Sequence, residues 1–103
     1  MVEKEMEVFR TLQGEIQELS SKQQQFLQQA NENGMVKKEL DYLKEDDKVY
    51  KLIGPLLIKQ RVPDAVLNIN KRLEFIQNEI EKVSSSLTEK ENKAGAVRQK
   101  VNI

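Results

Sequence analysis

The sequence predicts a mainly α-helical fold: a long antiparallel coiled-coil hairpin with a short β-hairpin at the bend. Apolar residues recur every three or four positions along both ends of the chain, as in paired helices. A short aliphatic stretch interrupts this pattern near the middle, and the two flanking segments are of nearly equal length. At 103 residues the chain has the length of one small domain, and we expect residues 1–103 to form it.

The first helix is predicted over residues 1–44. Its apolar positions form the seam, the stripe along which the two helices meet, and they are Val2, Phe9, Leu12, Ile16, Leu19, Phe26 and Ala30. The polar residue Gln23 occupies one seam position. Beyond Ala30 we expect the register to slip near Gly34, since glycine in a helix costs about 1 kcal/mol relative to alanine. The stripe is then expected to resume at Val36, Leu40 and Leu43.

The second helix is predicted over residues 63–103. Its apolar positions alternate in steps of three and four and are Val66, Ile69, Leu73, Ile76, Ile80, Val83, Leu87, Ala94, Val97 and Val101. Lys90 alone interrupts the series. A heptad pattern sustained this long is typical of a coiled coil. Pro63 suits the first turn of a helix, which places the helix start there.

A β-hairpin is predicted between the helices, over residues 48–60. Two short aliphatic runs, residues 49–53 and 56–59, flank the breaker Gly54-Pro55. A hairpin cannot carry the chain back over a helix of about 60 Å, so the helices should lie antiparallel. The charges also favour antiparallel helices, because acidic residues outnumber basic ones in the first 20 residues and basic residues outnumber acidic ones in the last 20.

The hairpin is expected to need partners. A two-stranded sheet is marginal alone, and here both faces carry apolar side chains that two thin helices cannot cover. We expect it to pair with hairpins of other subunits in an oligomeric β-barrel. The predicted assembly residues are Val49, Tyr50, Leu52, Ile53, Gly54, Pro55, Leu56, Leu57 and Ile58. Four apolar residues outside the seam are expected to contact a neighbouring subunit or the chain's own hairpin: Met35, Tyr42, Leu67 and Phe75.

The composition argues against several classes of function. The chain has no His and no Cys, so the commonest general base and the thiol nucleophile are missing, and we predict no enzyme, no cofactor and no metal site. Its 17 basic and 17 acidic residues leave no surplus charge for nucleic acid. No apolar run is long enough to cross a membrane, and the N-terminus does not resemble a secretory leader. We therefore expect a cytoplasmic protein.

Three segments in the middle of the chain resemble a known family. Residues 50–60 resemble the hairpin of β-class prefoldin subunits, and residues 31–40 and 71–76 resemble the subunit 6 group of that class. The resemblance implies a hexamer of α- and β-class prefoldin subunits, in which residues 49–53 and 56–59 form barrel strands and Gly54-Pro55 the turn. It also implies that the coiled-coil tips hold unfolded clients such as actin and tubulin, and that these pass to the cytosolic chaperonin without ATP hydrolysis by prefoldin.

The client-binding tips are predicted at the two chain ends. Antiparallel pairing brings together six apolar residues, Val2, Met6, Phe9, Val97, Val101 and Ile103. Flexible apolar groups on loose helix ends can adapt to many unfolded chains. They are equally explained as ordinary seam residues. The heptads alone also fit another class of protein, a coiled-coil scaffold or tether that oligomerises through its hairpin.

Overall fold

The structure, a computed structural model, describes residues 2–101. Along the chain it contains helix α1 (Val2–Asp41), strands β1 (Val49–Ile53) and β2 (Leu56–Gln60), and helix α2 (Val62–Val101). The predicted order of helix, hairpin and helix is confirmed. The backbone divides into a central unit, Gln28–Gln77, and a terminal unit made of Met1–Leu27 and Asn78–Ile103.

Helix α1 ends at Asp41, before the predicted residue 44. The Leu43 N–H donates to the carbonyl of Leu40 at 3.1 Å, an i to i−3 bond that tightens the last turn. The Lys44 N–H then donates to Oδ2 of Asp47 at 2.6 Å, and the Asp47 N–H donates back to the Lys44 carbonyl at 3.0 Å. An aspartate that bonds to nearby backbone in this way competes with helix formation, which explains the earlier end.

The hairpin turns through Gly54 and Pro55. Gly54 has φ +58°, a left-handed conformation that residues with side chains rarely adopt. Pro55 cannot adopt a positive φ, because its ring fixes φ at a negative value. A two-residue loop with positive φ at its first position alone is a type II′ turn, whose twist suits two antiparallel strands. In the resulting register Leu52 lies opposite Leu57, and Val49 lies opposite Gln60.

Helix α2 begins at Val62, one residue before the predicted Pro63. The carbonyl of Arg61 accepts the first helical bond from the N–H of Ala65 at 3.0 Å. Proline fits the first turn because its missing N–H has no partner to lose there. Val62 is buried, and the carboxylate of Asp64 lies in the first turn, where the helix dipole favours negative charge.

The core of the central unit joins both helices to the hairpin. Leu40 on α1 packs with Ala65 and Ile69 on α2, and all three are buried. Val49, the first residue of β1, packs against this cluster together with Val66. The base of the hairpin is therefore anchored on the helices.

The expected register slip in α1 is wrong. Burial continues at Asn33, Lys37 and Leu40, whereas Val36 and Leu43 are exposed. Because α1 is unbroken, the helical phase set by the earlier seam residues persists, and it brings polar side chains to the seam. Glycine lowers helix propensity without changing that phase.

In the terminal unit the helices run antiparallel. Nε2 of Gln23 donates to Oγ of Ser84 at 3.3 Å, and Lys90 forms an ion pair with Glu15. Glu15 precedes Gln23 on α1, whereas their partners Lys90 and Ser84 stand in the opposite order on α2. Along α2 the seam positions are buried or half-buried through Val101, including the interrupting Lys90.

Candidate assembly and client-binding surfaces

The hairpin presents apolar side chains on both faces. One face carries Leu52 and Leu57, paired across the strands and 68% and 69% exposed. The opposite face carries Ile53, Leu56 and Ile58, which are also exposed. Burying each such side chain contributes roughly 1.5–3 kcal/mol of favourable free energy. The isolated hairpin does not gain this free energy, whereas a hairpin covered by a partner would.

The remaining predicted assembly residues divide by position. Val49 is half-buried against the central core, whereas Tyr50 is exposed. Gly54 and Pro55 form the exposed turn between the strands. The structure therefore brings the predicted residues into one hairpin, with Val49 facing the chain's own helices.

Exposed apolar side chains are concentrated in the central unit. Of the fifteen large apolar side chains that are exposed among residues 2–101, twelve belong to this unit. They include all four residues predicted to lie outside the seam, namely Met35, Tyr42, Leu67 and Phe75. A concentration of exposed apolar side chains in one unit favours a protein interface over a solvated face.

Four of the six predicted tip residues lie at half-buried positions of the terminal unit. Val2 is exposed, while Met6, Phe9, Val97 and Val101 are half-buried; Ile103 lies outside the described residues. A shallow groove of about 520 Å³ runs beside Phe9 and Ile16 on α1 and beside Ala94 and Gly95 on α2. The small α2 residues leave parts of Phe9 and Ile16 reachable.

Two polar contacts fill the seam of the terminal unit. Gln23 bonds to Ser84, and Lys90 pairs with Glu15. This hydrogen bond to Glu15 raises the pKa of the Lys90 ammonium above its ordinary value. Next to it, a hydrogen bond from Lys93 lowers the pKa of the exposed Glu89 carboxyl. The sequence marks Gln23 and Lys90 as interruptions but not their partners, because side-chain contacts depend on the helix register.

No metal-binding cluster is found in the part of the chain that the structure describes. Within residues 2–101, no three Asp or Glu side chains group closely enough to hold a metal ion. Over the same residues, neither helix is long and apolar enough to cross a membrane.

Helix, β-hairpin and helix, with heptad burial along both helices, define a coiled-coil protein with an inserted β-hairpin. Residues 3–103 match the prefoldin subunit family. The chain is 38% identical over 99 residues to a probable prefoldin subunit 6 of Caenorhabditis briggsae, covering 96% of this chain and 77% of that protein. It is 35% identical over 95 residues to human prefoldin subunit 6, covering 92% of this chain and 74% of that protein.

The match to prefoldin subunit 6 of Arabidopsis thaliana is 44% identical and shorter, covering 71% of this chain and 57% of that protein. Among solved structures, the prefoldin beta subunit from Thermococcus strain KS-1 has the same fold, with a TM-score of 0.90 at 18% identity. That match covers 97% of this chain and 88% of the other.

The chain belongs to the prefoldin subunit family. The predicted likeness to β-class subunits, and to prefoldin subunit 6 in particular, is confirmed. Membership implies a co-chaperone role in which prefoldin subunits assemble with one another.

Proposed function

We propose that this chain is one subunit of a hexameric cytoplasmic prefoldin. It captures non-native proteins such as actin and tubulin at the coiled-coil tips and delivers them to the cytosolic chaperonin. It does so without hydrolysing ATP, without a cofactor and without catalysis. Residues 1–103 act as a single domain in this proposal.

The exposure of the hairpin supports assembly most directly. Leu52 and Leu57 on one face, and Ile58 on the other, are all exposed in the isolated chain. An apolar two-stranded sheet with free edges is unstable and prone to aggregate unless other strands cover it. Partner hairpins in a closed barrel would cover both faces and both edges.

The described tip residues support client binding through several weak contacts. Phe9 and Val97 are half-buried, so each keeps some surface available without disrupting the pairing of the helices. Such contacts hold a client only weakly on one arm. Several arms linked through one body gain avidity, because later contacts form at high effective concentration.

The test is a chain lacking residues 1–8 and 96–103, reconstituted with its partner subunits. We expect normal hexamer formation and poorer suppression of actin aggregation, partly masked by the arms that remain. Unchanged suppression after the matching ends of all partner subunits are removed would contradict client binding at the tips.

Point variants sharpen this test. Phe9→Ala and Val97→Ala should each weaken suppression of aggregation. Leu27→Ala is the matched control, because Leu27 is also apolar and belongs to the same unit but lies far along the chain from both ends. Equal effects of all three variants would show that general apolar surface, and not the tips, binds clients.

A further inference from the structure

A groove in the central unit lies beside the hairpin. It has a volume of about 520 Å³. Its apolar lining combines buried core residues with exposed side chains, and consists of Val36, Leu40, Val49, Tyr50, Ala65, Ile69 and Phe75. The groove is therefore apolar, open to solvent, and built on the packed core of the unit.

The charge of this groove is one-sided. Lys51, Lys71 and Arg72 line it, and no Asp or Glu does. This asymmetry stands out because the whole chain carries equal numbers of acidic and basic residues. Within residues 2–101, none of the three cations forms an ion pair. They are thus available to carboxylates from another chain.

The edge of β1 borders the groove. Val49, Tyr50 and Lys51 all line it, whereas β2 contributes only Gln60. Consecutive strand residues point to opposite faces, so three in succession indicate that the groove runs along the free edge of β1. A free edge offers unpaired backbone N–H and C=O groups to an added strand.

We infer that this groove receives an extended acidic–apolar segment of a neighbouring prefoldin subunit. The segment adds to the edge of β1 and places an apolar side chain against Phe75. A carboxylate within about two residues of it pairs with Lys71 and Arg72. The inference rests on the proposed assembly through the hairpin and adds the chemistry that selects the neighbour.

Charge complementarity explains why the neighbour is acidic at this point. An uncharged apolar segment would cover the three cations and remove water from them without supplying a counter-charge, which disfavours binding. A carboxylate offsets this loss of solvation and forms charge-assisted hydrogen bonds, which can be bidentate with arginine. Fixed charge pairs at the edge also set the alignment of the added strand.

The test compares two double charge reversals on α2. Lys71→Glu with Arg72→Glu alters the groove. Lys82→Glu with Lys93→Glu is the matched control, since it makes the same change in net charge at exposed residues of the terminal unit. Binding of the labelled full-length chain to the other prefoldin subunits is titrated at low and high salt, with helix content checked by circular dichroism.

We expect the groove variant to bind about tenfold more weakly or worse at low salt, with the gap narrowing at high salt as charges are screened. The control should stay within about twofold of the unaltered chain. If the groove variant matches the control, this inference fails while assembly through the hairpin stands. If the unaltered chain binds no prefoldin subunit, both fail.

A second measurement identifies the occupant without depending on the reversals. Phe75→p-benzoylphenylalanine, at an exposed position, is photo-crosslinked in the assembled complex. We expect the crosslinked peptide to come from another prefoldin subunit and to carry Asp or Glu beside the reacted residue. A peptide from a client or the chaperonin, or one without carboxylates, would overturn the inference.

Discussion

Two adjacent residues of α2 allow the effect of a mutation on fold stability to be measured apart from its effect on assembly. Ile76 is 3% exposed, and Phe75 next to it is 60% exposed. We predict that Ile76→Ala destabilises the isolated chain strongly, whereas Phe75→Ala destabilises it little and instead weakens binding to partner subunits. The larger side chain should thus cost less to remove.

The magnitudes follow from burial. Truncating a buried isoleucine to alanine costs about 2–4 kcal/mol, through lost apolar transfer and the cavity that remains. Phe75 keeps less than half of its surface covered, so its truncation should cost about 1 kcal/mol. Alanine is the best helix former, so neither loss reflects helix propensity. At roughly 4–8 °C per kcal/mol, Ile76→Ala should lower Tm by about 8–32 °C.

The assay is thermal unfolding followed by circular dichroism. It is run at concentrations where analytical ultracentrifugation shows a monomer, so that association does not stabilise the fold. A Tm loss for Phe75→Ala as large as that for Ile76→Ala would refute the reasoning, because it would mean that Phe75 packs within the chain.

Three further predictions concern other parts of the chain. Amide exchange should be slow over residues 66–87 and fast beyond Lys90, where the seam residues Ala94, Val97 and Val101 are smaller than the leucines and isoleucines before them. Protection out to the end of α2 would show rigid tips. The hydrogen bond to Glu15 raises the pKa of Lys90 in the folded chain. The pair therefore stabilises the fold fully below the pH at which an unfolded lysine titrates, and this stabilisation is lost as pH rises through the folded pKa. Lys90→Met should lack this alkaline loss in urea unfolding, and equal alkaline losses in both chains would count against the pair. Gly54→Ala should strain the left-handed turn by about 1–2 kcal/mol and speed exchange in both strands, with Gly54→Asn milder; no difference from the unaltered chain would argue against the type II′ turn.

The sequence predicts the large elements because each has a strong local signal. Heptad spacing predicts both helices, and Gly54 with Pro55 between two aliphatic runs predicts the hairpin. Helix ends are predicted less well. The early end of α1 depends on one side-chain bond from Asp47 to the backbone of Lys44, which no periodic pattern reveals.

Surface chemistry is harder to predict than the elements. In the sequence Lys71-Arg72 is a short basic pair too well balanced by acids to indicate a site. The fold brings it beside Lys51, twenty residues away, and leaves all the nearby acids outside the groove. Likewise the polar residues Asn33 and Lys37 lie at half-buried seam positions of α1. The helical repeat, rather than residue type, determines which positions fall in the seam there.

The central claim is that the hairpin assembles this chain with other prefoldin subunits. Native mass spectrometry of the chain mixed with α- and β-class prefoldin subunits tests it, with Leu52→Asp as the comparison. We predict that the unaltered chain enters a hexamer. Leu52→Asp should stay out while keeping its helix content, because a carboxylate buried in the barrel without a partner costs several kcal/mol. A stable homodimer indifferent to the α-class subunit, or Leu52→Asp entering at the normal stoichiometry, would contradict the account.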